Sequence, residues 1–309
     1  MNMLAKTTQR ADDYPTRLAA EQWTGRQDPV VWTKWSPDAP LTQDQVQTFE
    51  NNGYLVLKNL FSPAEIAAMT AVSTALRSGE TKVDPEDVIT EPGSDEVRTV
   101  FRLDRHNALF DRLARDSRIA GRVRHLLGDD LYLHQSRLNY KPGFNGKEFY
   151  WHSDFETWHA EDGMPRMRAI SASVLLTDND ALNGPLMLMP GSHRTFVACA
   201  GATPANNHAN SLKKQEIGVP SQDSLTKMAE KFGIDHAAGV AGTVILFDCN
   251  TLHGSNGNIT PFARSNAFFV YNAWSNRLTA PYAAAAARPA FLSERDPSAP
   301  ITIETGTLV

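Results

Sequence analysis

The chain has 309 residues, a formal net charge of −5 and 41% hydrophobic residues, enough to bury a sizeable core. Its Lys and Arg residues are scattered with no basic stripe, which argues against a nucleic-acid protein, because nothing is placed to neutralise a run of phosphates. Two distant cysteines, Cys199 and Cys249, make no disulfide framework and lack zinc-ligand spacing. No apolar run of about 18 residues reads as a membrane span, and the polar stretch 1–17 has no signal-peptide core. The expectation is a globular protein of a reducing compartment, the cytoplasm.

Residues 1–40 read as irregular and polar, a segment that wraps over the body and pins itself by burying Trp23, Trp32 and Trp35. A helix starts at Thr42, with Gln45 three residues on to complete a capping box, and stops near Gly53. Tyr54 to Leu57 is a short strand. Ser62-Pro63-Ala64-Glu65 opens a second helix, with Pro at the first position and Ile66, Met69 and Val72 as its apolar face. Beyond about residue 130 the texture changes to short β-like runs between turn residues, at 131–140, 148–155, 168–177, 185–189, 243–248, 252–255 and 264–274. A long polar stretch, 200–222, interrupts them, and Ser224 to Phe232 reads as helix. A loop that long inside a compact domain suits a lid. The whole chain, 1–309, reads as one domain, mainly β, with flanking helices on a core at about 130–275.

The central feature is Trp151-His152-Ser153-Asp154. On a strand, residues i and i+2 share a face, so His152 and Asp154 project into one cavity. Two ligands do not close a site, and among nine histidines His253 is the best third candidate. It follows the apolar strand Thr243 to Phe247 and precedes Gly254. Two imidazoles with one carboxylate suit Fe(II) and leave coordination positions open. His106, His125, His134, His159, His193, His208 and His236 are its rivals. Arg264 follows eleven residues after His253, across Asn256-Gly257-Asn258, which has hairpin chemistry. The two strands are therefore expected to pair as a hairpin, with the Arg264 guanidinium at the cavity mouth as a grip for a dicarboxylate. A surface salt bridge is the plainer alternative for Arg264 taken alone. Asn183-Gly184 to Pro190-Gly191-Ser192-His193 reads as turn, buried strand and turn, with His193 in a structural role. Along 131–141, Gln135, Arg137, Asn139 and Lys141 share one face, as expected if that face lines a site rather than solvent.

In order and spacing over residues 40–275, these motifs resemble the phytanoyl-CoA dioxygenase superfamily. The run Phe149-Tyr150-Trp151-His152-Ser153-Asp154-Phe155-Glu156-Thr157-Trp158-His159-Ala160-Glu161-Asp162-Gly163-Met164-Pro165 is similar to the signature of ectoine hydroxylases. The resemblance implies a double-stranded β-helix (jelly roll). It implies Fe(II) on His152, Asp154 and His253, with 2-oxoglutarate and O2 as co-substrates. Lys141 and Arg264 match positions associated with 2-oxoglutarate. Gln135, Trp158, Phe268 and Arg288 match ectoine contacts. The implied reaction is hydroxylation of ectoine to 5-hydroxyectoine, a compatible solute of the stress response, with release of succinate and CO2. Halogenating relatives lack the carboxylate that Asp154 supplies, so hydroxylation is the expected outcome. Relatives are often dimers, so a homodimer is one implied assembly, although no residue pattern shows an interface. The alternatives are a hydroxylase of another small zwitterion, such as an amino acid, and a cupin-like metal-binding barrel without oxygenase turnover.

Overall fold

The computed structural model describes residues 12–309 apart from residue 213, so the first eleven residues of the expected N-terminal wrap lie outside the described residues. Among the described residues thirteen strands form in chain order: β1 (Gln22–Gly25), β2 (Tyr54–Leu57), β3 (Val88–Thr90), β4 (Val97–Phe101), β5 (Leu131–Lys141), β6 (Phe149–His152), β7 (Ala169–Leu175), β8 (Leu186–Leu188), β9 (Thr195–Ala198), β10 (Asp235–Ala237), β11 (Val244–Asp248), β12 (His253–Ser255) and β13 (Arg264–Ala273). Eight α-helices accompany them: α1 (Gln43–Asn52), α2 (Pro63–Ser78), α3 (Leu103–His106), α4 (Ala108–Arg115), α5 (Arg122–Leu127), α6 (Asp154–Thr157), α7 (Asn207–Ser211) and α8 (Gln222–Phe232). Both expected capping boxes form, Thr42 with Gln45 and Ser62 with Glu65, and Gly53 closes α1 in the left-handed conformation.

A seven-stranded sheet has the order β2-β11-β7-β13-β5-β4-β3, and a four-stranded sheet has the order β10-β8-β12-β6. All their pairings are antiparallel. Alternation sorts the side chains of the large sheet. Val244, Leu246, Ala267, Phe269, Leu138 and Tyr140 pack outward with helix residues such as Phe49, Met69 and Phe110. Ile245, Phe247 and Phe268 face inward, onto Leu186 and Leu188 of the small sheet. The result is the expected jelly roll, two sheets face to face, with helices on the outer face of the larger one.

One expectation fails here and another holds only in part. The strands β12 and β13 do not form a hairpin. Strand β12 pairs β6 and β8, whereas β13 pairs β5 and β7 in the other sheet. The segment 256–258 lacks the positive φ angles that a two-residue hairpin turn needs, so the chain crosses between sheets instead. The N-terminal wrap is pinned by its tryptophans only in part, through Trp32, which packs against the core beneath the Arg168 guanidinium. Trp23 and Trp35 remain 39% and 37% exposed. Tyr14 is the buried anchor, its ring against Phe155 and Phe196 and its hydroxyl donating to Asp28 Oδ2 at 2.9 Å. Strand β1 then pairs β9.

Strand β5 sits inside the large sheet, not at its edge. Its register against β13 slips between Val270 and Tyr271, where Gln135 pairs with Val270 and Leu133 with Tyr271, so His134 is the extra residue of a bulge. After the bulge, Gln135, Arg137 and Asn139 point inward with Phe268.

Candidate metal centre and its cavity

Strand β6 ends at His152, and Asp154 opens α6, so the two residues do not lie on one strand as expected. Ser153 between them keeps an extended backbone (φ −106°, ψ 130°), which preserves the alternation for one more residue. His152 Nε2 therefore lies 3.7 Å from Asp154 Oδ1. Strand β12 places His253 directly across from His152, with ring centroids 4.3 Å apart. His253 Nε2 is 3.9 Å from Asp154 Oδ2. Ligand atoms of the three residues all lie within 4.8 Å of one another, and no other histidine belongs to such a group among the described residues.

The imidazoles are oriented for binding. His152 Nδ1 is 2.7 Å from Tyr150 O, and His253 Nδ1 is 3.0 Å from Thr251 O. A carbonyl only accepts, so each Nδ1 carries the proton and each Nε2 lone pair faces the centre. Ser171 Oγ donates to Asp154 Oδ2 at 3.3 Å. Burial holds His253 neutral, its pKa down at about 4, and neighbouring His152 adds to the effect. Burial works against the charge on Asp154, but His253 and His152 outweigh it and hold the carboxyl well below its usual range. A neutral imidazole at His253 beside an ionised carboxylate at Asp154 suits a divalent metal. The donor set, with one face open to the cavity, fits iron.

The centre lies in a cavity of about 410 Å³. Four buried or half-buried guanidinium groups line it: Arg98, Arg137, Arg264 and Arg288. Two are neutralised. Arg98 Nη1 donates to Glu91 Oε2 at 2.7 Å, and Arg288 Nε donates to Asp162 Oδ1 at 2.8 Å. Arg137 and Arg264 have no carboxylate within salt-bridge distance among the described residues. Arg264 Nε donates to Gly184 O at 2.7 Å, and burial followed by the nearby Arg98 brings its pKa down to about 10. Arg137 donates to Gln135 Oε1 and lies over the Phe268 ring at 4.8 Å.

Of the other expected site residues, Gln135, Trp158, Phe268 and Arg288 line the cavity. Gln135 Nε2 donates to Leu292 O at 2.8 Å, which fixes the amide. One face of Phe268 is already taken by Arg137. Lys141 stands behind the wall. Its Nζ donates to Lys147 O at 3.0 Å, Ser255 Oγ at 2.9 Å and Asn256 O at 2.5 Å. Burial, with Arg264 and Arg98 adding, drives its pKa down to about 6, and with its donors spent on these three oxygens it props the wall rather than facing the cavity. His193 is structural, buried against Gly53.

Arg98 and Asp162 were not singled out from the sequence, and Arg137 was placed only on a polar face. The signal for Arg137 was available, since an inward Arg between Gln135 and Asn139 on an interior strand needs an anion. The stretch 200–222 supplies Asn207, Ser211, Leu212, Lys214, Gln215 and Ile217 to the cavity wall. Asn207 Nδ2 donates to Glu161 Oε1 at 2.8 Å, which ties this cover to the turn below it. Glu161 and Glu156 both bind Arg17 of the N-terminal segment.

Residues 49–266 match the model of the phytanoyl-CoA dioxygenase (PhyH) family. The ectoine dioxygenase of Stutzerimonas stutzeri is 54% identical over 95% of this chain and 98% of its own length. The chain belongs to the phytanoyl-CoA dioxygenase family, among its ectoine dioxygenases. The Sphingopyxis alaskensis ectoine dioxygenase is 52% identical over 96% of this chain and 98% of its own. The crystal structure of EctD from S. alaskensis with 2-oxoglutarate and 5-hydroxyectoine matches with a TM-score of 0.89, at 49% identity over 97% of this chain and all of that one. The structure of the same protein with bound Fe matches at 0.88. The carbocyclase SnoK, 18% identical with a TM-score of 0.59, shares only the fold with this ectoine dioxygenase relative.

Proposed function

We propose that this protein is an Fe(II)- and 2-oxoglutarate-dependent dioxygenase that hydroxylates ectoine to 5-hydroxyectoine, releasing succinate and CO2. The observation that carries the reading is the pair of unneutralised guanidinium groups, Arg137 and Arg264, in one cavity with the His152–Asp154–His253 group. Such a cavity calls for two anions. The far carboxylate of 2-oxoglutarate and the carboxylate of zwitterionic ectoine are two.

His152, Asp154 and His253 hold the iron. Arg264, steered by Gly184 O, takes the distal carboxylate of 2-oxoglutarate, with Lys141 as the prop behind it. Arg137 and Arg288 face the substrate carboxylate. Trp158 offers an aromatic surface to the amidinium, a cation–π contact, and the Gln135 amide both donates and accepts. The iron, with 2-oxoglutarate and O2, supplies oxidising chemistry that puts one oxygen atom into succinate and one on the substrate ring. The chain's own task is to place the ring carbon and exclude water, served by Trp158, Phe268 and the 200–222 cover. The product is a compatible solute, so the activity belongs to the stress response. Residues 1–309 act as one domain in this reading. The two buried free cysteines suit the cytoplasm, and no helix among the described residues is long and apolar enough to cross a membrane.

The test is mass spectrometry of ectoine after incubation with the protein, Fe(II), 2-oxoglutarate and O2, with proline and lysine in parallel. A gain of one oxygen on ectoine, matched by succinate, is expected. Unchanged ectoine with a hydroxylated amino acid would overturn the substrate.

A further inference from the structure

We propose that Asp162 is a positioning residue that registers Arg288 and Trp158 against the metal centre and so sets which substrate carbon is hydroxylated. The proposal rests on the reading of Arg288 and Trp158 as substrate contacts. Its geometry starts from the signature run. Asp154 opens α6, and the chain continues without a break into a π-helical turn, Trp158–Asp162. A metal ligand stands at one end of this rigid piece and Asp162 at the other. The Asp162 side chain is wholly buried. Arg288 Nε donates to its Oδ1 at 2.8 Å, and Arg288 Nη2 donates to its Oδ2 at 2.5 Å. Arg295 Nη1 donates to the Asp162 carbonyl at 2.6 Å, which fixes the backbone as well.

Arg288 needs such a partner. It lies in a C-terminal stretch, 277–300, that has no helix or strand to hold it. A long side chain on irregular backbone does not place a charge well by itself. The side-on grip uses two of the five guanidinium N–H groups, through Nε and Nη2, and leaves three for an anion in the cavity. Asp162 reaches a second wall element too. His134, the bulged residue of β5, has Nε2 at 3.2 Å from Asp162 Oδ2, and its ring meets Trp158 edge-on at 5.1 Å. One buried carboxylate thus fixes the arm for the substrate carboxylate from the same π-helical turn that carries the Trp158 wall, at a set spacing from Asp154. That spacing selects the carbon presented to the iron.

The experiment compares Asp162→Asn, Arg288→Gln and the double variant, each loaded with Fe(II). Initial rates are measured against ectoine and against 2-oxoglutarate, along with succinate formed per hydroxyectoine. Removing one partner of a buried charge pair should raise the KM for ectoine about tenfold or more in Asp162→Asn. The KM for 2-oxoglutarate should stay put, and the succinate-to-product ratio should rise above one. A merely structural residue would lower the active fraction without moving either KM or that ratio. The double variant, which restores charge balance, should match Arg288→Gln alone. Multiplied defects in the double variant, or a wild-type ectoine KM and ratio in Asp162→Asn, overturn the proposal while leaving Arg288 as a contact. A wild-type ectoine KM in Arg288→Gln overturns the contact reading and the proposal with it.

Discussion

The division of labour between Arg137 and Arg264 can be tested by a crossed pair of substitutions. Each guanidinium lines the cavity, and neither has a carboxylate within salt-bridge distance among the described residues. Replacing either with Gln removes a charge-assisted contact to a bound anion. Truncating such a contact costs about 2–5 kcal/mol where it is fully buried. Arg137 is half-buried, because part of it faces the cavity, so the lower end applies to it, about 2–3 kcal/mol. That corresponds to a loss of about 30- to 150-fold in kcat/KM. Arg264 is 4% exposed, and its loss should be at least as large. The assay is steady-state kinetics with each co-substrate varied at saturating levels of the other. Arg137→Gln should raise the KM for ectoine and leave that for 2-oxoglutarate near wild type. Arg264→Gln should do the reverse. If Arg137→Gln raised the KM for 2-oxoglutarate and spared ectoine, the assignment of the two anions would be wrong. If neither variant moved a KM, the argument from unneutralised charge would fail altogether.

Asp154→Ala should abolish stoichiometric iron binding, read by metal analysis after dialysis, because it deletes the anionic member of a three-ligand group. Full iron occupancy in that variant would refute the ligand assignment. Gly53→Ala should destabilise the fold by about 2–4 kcal/mol, summing left-handed strain and overpacking. The new Cβ would lie 2.4 Å from His193 Nδ1 and 2.6 Å from Thr251 Oγ1. Denaturant unfolding checks this, and a change under about 0.5 kcal/mol would contradict it. His193 is wholly buried with its pKa lowered to about 4, chiefly by burial. Its unfolded value is about 6.5, so the unfolded chain takes up the proton first, and stability falls as pH drops from about 6.5 toward 4. Between pH 7 and pH 5 the loss from this residue is about 2 kcal/mol, and His193→Gln should lack that increment in metal-free protein unfolded at both pH values.

Much of the fold was legible because it follows from local chemistry. Thr42–Gln45 and Ser62–Glu65 close their capping boxes with neighbours three residues away, so no tertiary knowledge is needed. The seven strand runs beyond residue 130 are short and bounded by turn residues, and each appears within a few residues of its expected limits. Strands β1, β3, β4, β9 and β10 were missed. They run three to five residues, and propensity over so short a window says little against partners supplied from elsewhere. Helix α4 was missed although Phe110, Leu113 and Ala114 carry the helical spacing of a buried face. The expected hairpin after His253 failed for a different reason. Asn256-Gly257-Asn258 has turn chemistry, but a turn motif does not say which sheet receives the next strand. The site was legible in its ligands and partly hidden in its charges. His152, Asp154 and His253 belong to a recognisable pattern, whereas the pairing of Arg288 with Asp162 spans 126 positions and only the folded chain reveals it.

That pairing bears on how the cavity chooses its ligands. A buried guanidinium without a partner is costly, and a protein selected for stability alone would neutralise all four. Here Glu91 and Asp162 neutralise Arg98 and Arg288, the arginines that join the wall from β4 and from the irregular C-terminal stretch. Arg137 and Arg264 stay uncompensated on β5 and β13, adjacent strands of the large sheet. Regular strands hold their side chains with little freedom, so these two charges need no protein anion to fix their direction, as Arg288 on its irregular backbone does. The cost of leaving them unpaired is offset only when anions arrive. The same arrangement penalises a neutral or cationic competitor, which would leave a buried positive charge unanswered. Selectivity for two anionic partners in one cavity therefore follows from where the carboxylates were withheld as much as from where the arginines were placed.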